Sequence, residues 1–188
     1  MAKWGRCDYR QLKKLRDNLA KLQSVDMDKF CRDTSKELAA RLLSLVIPAT
    51  PVGDYSKEIT VTAKRDSKHH KKGNTYTKRV NPSGKKGGTL RRGWTARTEQ
   101  EAVARDGSNN AQEYAEALPV TRQGTVYTVE VINPIHYASY VEFGHRTRGG
   151  GWKEGKYFLT ISEQQLRGQA PAIIEEKLKK LFKEAFRV

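Results

Sequence analysis

Four histidines, two cysteines and one glycine-rich loop are the residues of this chain whose types and spacing could do chemistry. His69 and His70 stand together in a basic stretch, His136 follows Asn133-Pro134-Ile135, and His145 follows Gly144. A metal site needs ligands at short fixed spacings, and no HExxH, paired cysteine or carboxylate cluster accompanies these histidines. Cys7 and Cys31 lie 24 positions apart without a neighbouring histidine, so they read as two thiols and not as a zinc site or a disulfide framework. Glu142 and His145 are three apart and could form an acid–base pair, but no nucleophile or orienting third group goes with them. The loop Gly84-Lys85-Lys86-Gly87-Gly88-Thr89 fails as a phosphate-binding loop: Arg79 stands where the first glycine belongs, and Lys86 replaces the required Ser or Thr. The expectation is a chain without catalytic residues, cofactor or metal.

Charge is the stronger signal. The 188 residues carry 36 Lys and Arg against 21 Asp and Glu, a net charge of +15. Between 57 and 97, thirteen basic residues face only Glu58 and Asp66, which places +11 in that stretch. It includes Lys64, Arg65, Lys68, Lys71, Lys72, Lys78, Arg79, Lys85, Lys86, Arg91 and Arg92. From Asp66 to Gly88 the only aliphatic residue is Val80, too little apolar surface to offset the entropy of ordering. Residues 57–88 therefore read as a long basic loop or arm on a folded body, its partner either nucleic acid or an acidic protein surface. Arg146-Thr147-Arg148 before three glycines adds a small second basic patch.

The body that must carry these residues is legible in the apolar spacing. Leu12, Leu15, Leu19 and Leu22 recur every three or four residues and predict an amphipathic helix between Asp8 and Val25. A second helix is predicted from a cap at Asp26 through Phe30, Leu38, Leu42, Leu45 and Val46 until Pro48 and Pro51 stop it. The run from Thr125 to Asn133 is β-branched and alternating, a strand that Gln123-Gly124 joins to an earlier partner at Leu118–Thr121. Leu90–Thr98 is predicted as a third strand and Ile135–Phe143 as a short helix ended by Gly144. Trp152–Phe158 reads as a turn, and Ile174, Leu178, Leu181 and Ala185 predict a C-terminal helix with Pro171 in its first turn or at a kink. Together these give one α+β domain over residues 1–188, a small antiparallel sheet packed against N- and C-terminal helices. No window approaches the roughly 18 apolar residues of a membrane span, and Met1–Arg6 lacks the apolar run of a secretory signal, so a non-exported chain without membrane contact is expected.

Three segments carry a likeness in their order. Ala49-Thr50-Pro51-Val52 closes the second helix, Gly88-Thr89-Leu90-Arg91-Arg92-Gly93-Trp94 follows a variable stretch, and Tyr137-Ala138-Ser139-Tyr140-Val141-Glu142-Phe143-Gly144 comes directly after the strand. This resembles the tail-component family of long-tailed bacteriophages, the small head–tail joining or tail-completion neck proteins. The likeness runs from about Leu12 to Phe182, and the basic insertion Ser56–Gly87 and the His145-Arg146 ending depart from it.

The resemblance implies a non-catalytic structural protein of the virion, made in the host cytoplasm. It implies a ring, six-fold in the family's manner, where the tail tube meets the head connector. The neighbours would be connector and tail-tube or tail-terminator proteins, with DNA in the channel within reach of the arm. Tyr137, Tyr140, Glu142, Phe143, His145, Arg146 and Trp152 are the expected subunit or partner contacts; large amphipathic side chains suit an interface centre. The competing reading is a basic nucleic-acid-binding accessory protein with no virion role.

Overall fold

The computed structural model describes residues 13, 14, 16, 17, 20, 27–85, 87–104 and 110–185. The described positions between 13 and 20 are helical, but the leucines that predict the first helix and the Asp26 cap lie outside the described residues. The elements in order are α1 (Met27–Ala49), β1 (Lys57–Thr62), β2 (Thr75–Val80), α2 (Thr89–Gly93), α3 (Glu99–Ala104), α4 (Ala111–Ala117), β3 (Val120–Gln123), β4 (Val126–Val129), α5 (Ala138–Phe143), β5 (Gly144–Arg146), β6 (Trp152–Glu154) and α6 (Phe158–Ala185). No helix among the described residues is long and apolar enough to cross a membrane.

The α+β class holds, but the sheet is three separate two-stranded antiparallel ribbons, β1–β2, β3–β4 and β5–β6. Each ribbon pairs strands adjacent in sequence, because strands of three to six residues are separated by helices before a third can join. The expected hairpin at Gln123-Gly124 is present, with Val120 opposite Val129 and Gln123 opposite Val126.

Three expectations need correction. The basic stretch is not a loop: Lys57–Thr62 pairs in register with Thr75–Val80, Lys57 opposite Val80 and Thr62 opposite Thr75. Ile59, Val61, Tyr76 and four threonines favour extended backbone, and the ladder satisfies the peptide groups that the charged composition left out of account. Leu90–Thr98 is not a strand; Leu90 and Trp94, four apart, lie one helical turn from each other across α2, both buried as expected. The turn placed at Trp152–Phe158 falls earlier, at Thr147–Gly151, where Thr147 and Gly151 close it by Thr147 N–H donating to Gly151 O at 2.9 Å. Pro171 sits well inside α6 and not in its first turn.

The chain forms two compact units. The first comprises Met1–Ser44, Ala111–Val131 and Thr160–Val188. Here α1 buries Ala39 and Leu43, α4 buries Ala115 and α6 buries Ser162. Polar ties bind the pieces: Arg32 donates to Val120 O at 3.0 Å, Lys36 to Glu116 O at 2.7 Å, and Glu37 pairs with both Arg41 and Lys177. Asp28 accepts from Arg32 at 2.6 Å, Tyr127 at 2.7 Å and Arg122 at 2.8 Å.

The second unit comprises Leu45–Asn110 and Ile132–Leu159. Its core is Val46, Thr50, Leu90, Trp94, Thr95, Ala96, Ala102, Ile135 and Phe158, with Trp94 meeting Phe158 edge-on at 6.2 Å between ring centres.

Candidate assembly surface

The centre of the second unit is a threonine. Thr50 is fully buried where α1 ends, and its hydroxyl donates to Val46 O at 2.6 Å while accepting Trp94 Nε1–H at 2.7 Å. Its carbonyl accepts Arg91 Nη2–H at 2.8 Å, and the same guanidinium reaches Pro48 O at 3.2 Å. A proline after Thr50 leaves the carbonyls of the last helical turn without the amide that would continue the helix, and Arg91 supplies cationic donors to them. Arg92 does the equivalent for α3 and the approach to α2, donating to Ala102 O at 2.9 Å and Gly87 O at 3.1 Å. Arg91 and Arg92 therefore belong to the body of the unit and not to the basic arm in which the sequence grouped them.

The third segment is fastened by Asn133 and Glu142. Asn133 Nδ2–H donates to Leu90 O at 2.9 Å, and its Oδ1 accepts Ile135 N–H at 3.2 Å. Gly93 faces this amide so closely that a Cβ there would collide with Asn133 and with Ile135 Cγ1. Glu142, expected at an interface, is 3% exposed, and its Oε2 accepts Leu159 N–H at 3.0 Å, in the first turn of α6. A carboxylate at that position satisfies a free amide and complements the positive end of the helix dipole. The side chain thus serves the fold of its own chain. The backbone of the same strand end receives Lys156 N–H at Val141 O and Tyr157 N–H at Glu142 O, at 2.9 and 3.1 Å. Gly144 ends α5 with φ 89°, a backbone that disfavours any side chain.

Held this way, the three segments line one groove of about 370 Å³. Pro51, Val52 and Tyr55 form one wall, Gly88, Thr89 and Leu90 the floor, and Tyr137, Tyr140, Val141 and His145 the other wall, with Lys153, Glu154 and Lys156 at the edge. Burial pushes the Tyr137 phenol above its ordinary pKa. Tyr140 meets His145 edge-on at 6.0 Å between ring centres. Around the groove the apolar exposure is high: Val52, Tyr55, Tyr140, Phe143, Trp152 and Tyr157 are all exposed, Trp152 at 61%. Arg146 is exposed opposite Trp152 in the β5–β6 ribbon. Of the seven expected contact residues, Tyr140, Phe143, Arg146 and Trp152 are exposed, Tyr137 and His145 are half-buried, and Glu142 is internal. Reading the sequence missed Thr50, Arg91 and Asn133 as fastening residues; the Thr-Pro and Asn-Pro pairs at helix and strand ends were the only local sign of them.

The remaining arm residues sit on the β1–β2 ribbon and its flanks. Lys64, Arg65, Lys68, Lys71 and Lys72 surround the tip, Lys78 and Arg79 lie on β2 with Arg79 paired to Asp54 at 3.0 Å, and Lys85 follows; Lys86 is outside the described residues.

A family model described as "Bacteriophage HK97-gp10, putative tail-component" matches the chain over residues 13–85 and again over 77–144. These spans contain all three segments that line the groove, and they meet within the basic stretch. The chain belongs to this bacteriophage tail-component family, as the order of its segments implied, and its role is structural, in the tail of the virion. The match ends at residue 144, so the likeness expected to continue to Phe182 is not part of it. No curated protein and no solved structure matches the chain.

Proposed function

We propose that this tail component is a non-catalytic ring subunit that completes the tail at the head–tail junction or at the top of the tail tube. The observation that carries the reading is the exposed aromatic rim of the groove, Tyr55, Tyr140, Phe143 and Trp152, set on segments whose interior faces are fastened by Thr50, Trp94 and Arg91. A rigid base under exposed aromatic side chains is what an interface centre requires. Covering one such side chain would contribute roughly 2 kcal/mol at about 25 cal/mol per Å².

In a ring of identical subunits one face of the protein must complement a different face of the next copy, and the contact must close. The aromatic rim supplies one such face, a six-fold ring being the arrangement carried over from the resemblance. The partners in this reading are further copies of the chain, a head-connector protein above and a tail-tube or tail-terminator protein below. Family membership in a structural class favours this over an accessory protein with no virion role.

The test is complementation. A phage whose own copy of the chain is disabled is supplied with the Tyr140→Ala, Trp152→Ala double variant. Because both residues are exposed, the variant should melt within a few degrees of the parent yet leave heads and tails unjoined or tails incomplete. Normal yields of complete particles would refute the role assigned to this rim.

A further inference from the structure

We infer that the tip of the β1–β2 ribbon is a binding element for the phosphate backbone of duplex DNA, and this inference stands whether or not the chain forms a ring. Between Ala63 and Thr75 the ribbon is closed by an ordered turn: Ala63 N–H donates to Asn74 O and Gly73 N–H to Ala63 O, both at 2.9 Å, and Ser67 N–H to His70 O at 2.8 Å. His70 stacks on Tyr76 with ring centres 4.0 Å apart and planes 8° from parallel, which fastens the tip to β2. Five cations project from this turn, Lys64, Arg65, Lys68, Lys71 and Lys72, all exposed and none ion-paired to a described residue. The lone carboxylate of the tip, Asp66, accepts Lys72 N–H at 2.7 Å and helps to shape the turn.

The surroundings decide which polyanion suits it. Residues 64–74 contain no aliphatic residue and no Phe, Tyr, Trp or Met. Protein interfaces concentrate aromatic side chains and are depleted in lysine at their centres, so the tip lacks the anchors that a protein partner would use. Single strands are held by stacking bases on aromatic rings, and Tyr76 already has His70 against its face. Duplex phosphates need only cations and hydroxyl donors. The ribbon presents both, since Thr60 opposite Thr77 and Thr62 opposite Thr75 form an exposed hydroxyl ladder on one face leading to the cations. A two-stranded ribbon is also narrow enough to enter a major groove about 12 Å wide.

The experiment measures affinity of the full chain for a 30-base-pair duplex of mixed sequence by fluorescence anisotropy, over a salt series. Five phosphate contacts predict a slope of log K against log salt of about −4.5, and the triple variant K68Q/K71Q/K72Q should reduce it to about −2. The charge-conserving K68R/K71R/K72R variant should keep the parental slope, and K179Q/K180Q/K183Q, with the same charge loss on α6, should leave it nearly unchanged. An unmoved slope in the first variant, or equal losses in the first and last, would overturn the assignment. So would tighter binding of a single strand or of polyglutamate than of the duplex under the same conditions.

Discussion

Trp94 Nε1–H donates to Thr50 Oγ1 at 2.7 Å, joining two buried side chains 44 residues apart in sequence. Each belongs to a different one of the three segments that mark the family, so the bond shows what those segments are for inside one chain. They clamp the end of α1, the helix α2 and the turn after it into one base, and the groove lies between them. Thr50→Val keeps the shape but strands a buried indole N–H, and should cost about 1–3 kcal/mol by urea denaturation. Thr50→Ser retains the acceptor and should cost clearly less; equal losses would mean that packing, not the bond, dominates.

Gly93 and Gly168 are both helical glycines and should respond oppositely to alanine. In α6 nothing lies within 4 Å of the Cβ that Gly168→Ala would add, so helix propensity alone acts and the variant should gain about 0.5–1 kcal/mol. At Gly93 the new methyl would meet Asn133 and Ile135, and overpacking should turn the same substitution into a loss of about 1–3 kcal/mol. Paired thermal melts check the signs.

Asp28 ties the first unit together through Arg32, Tyr127 and Arg122, with the Arg32 hydrogen bond the leading cause of a carboxyl pKa lowered from 3.8 to about 2. The folded value lies below the unfolded one, so the stabilisation is present above about pH 4 and is lost as pH falls toward 2. Stability measured across that window should decline, and Asp28→Asn should flatten this part of the decline. An unchanged profile in the variant would remove Asp28 from the acid response.

Glu142→Ala removes the acceptor for Leu159 N–H at the start of α6 and leaves a buried amide without that partner. The expected loss is about 1.5–3 kcal/mol, the range for hydrogen bonds to charged groups, with Glu142→Gln intermediate because it keeps an acceptor oxygen. Chemical denaturation gives the order. If the two variants assemble into particles in proportion to their stability, Glu142 acts through the fold, as its burial indicates.

How much of this was legible in the sequence depends on whether the cause was local. The span of α1, the β3–β4 hairpin at Gly124 and the end of α5 at Gly144 follow from spacing and turn residues that sit side by side in the chain. The β1–β2 ribbon was read as a loop because its composition is charged, whereas the charges gather at the tip and the strands themselves are rich in Thr, Val, Ile and Tyr. Leu90 and Trp94 were recognised as buried but given the wrong backbone, since a short apolar run does not distinguish helix from strand by period alone. For the site, the aromatic residues from 137 to 152 were visible as types, and the order of the three segments pointed to the family. What brings them together was not visible: Thr50 with Trp94, Leu90 with Asn133 and Asp28 with Tyr127 are contacts between distant positions that no local pattern encodes.

The central claim is that this tail component sits as a ring where tail meets head. Electron cryomicroscopy of purified particles carrying a fused, density-visible label on the chain tests it most directly. The account predicts label density in a ring at the neck or the top of the tail tube, at one fixed stoichiometry per particle. Label at the distal end of the tail, or its absence from complete particles, would contradict it.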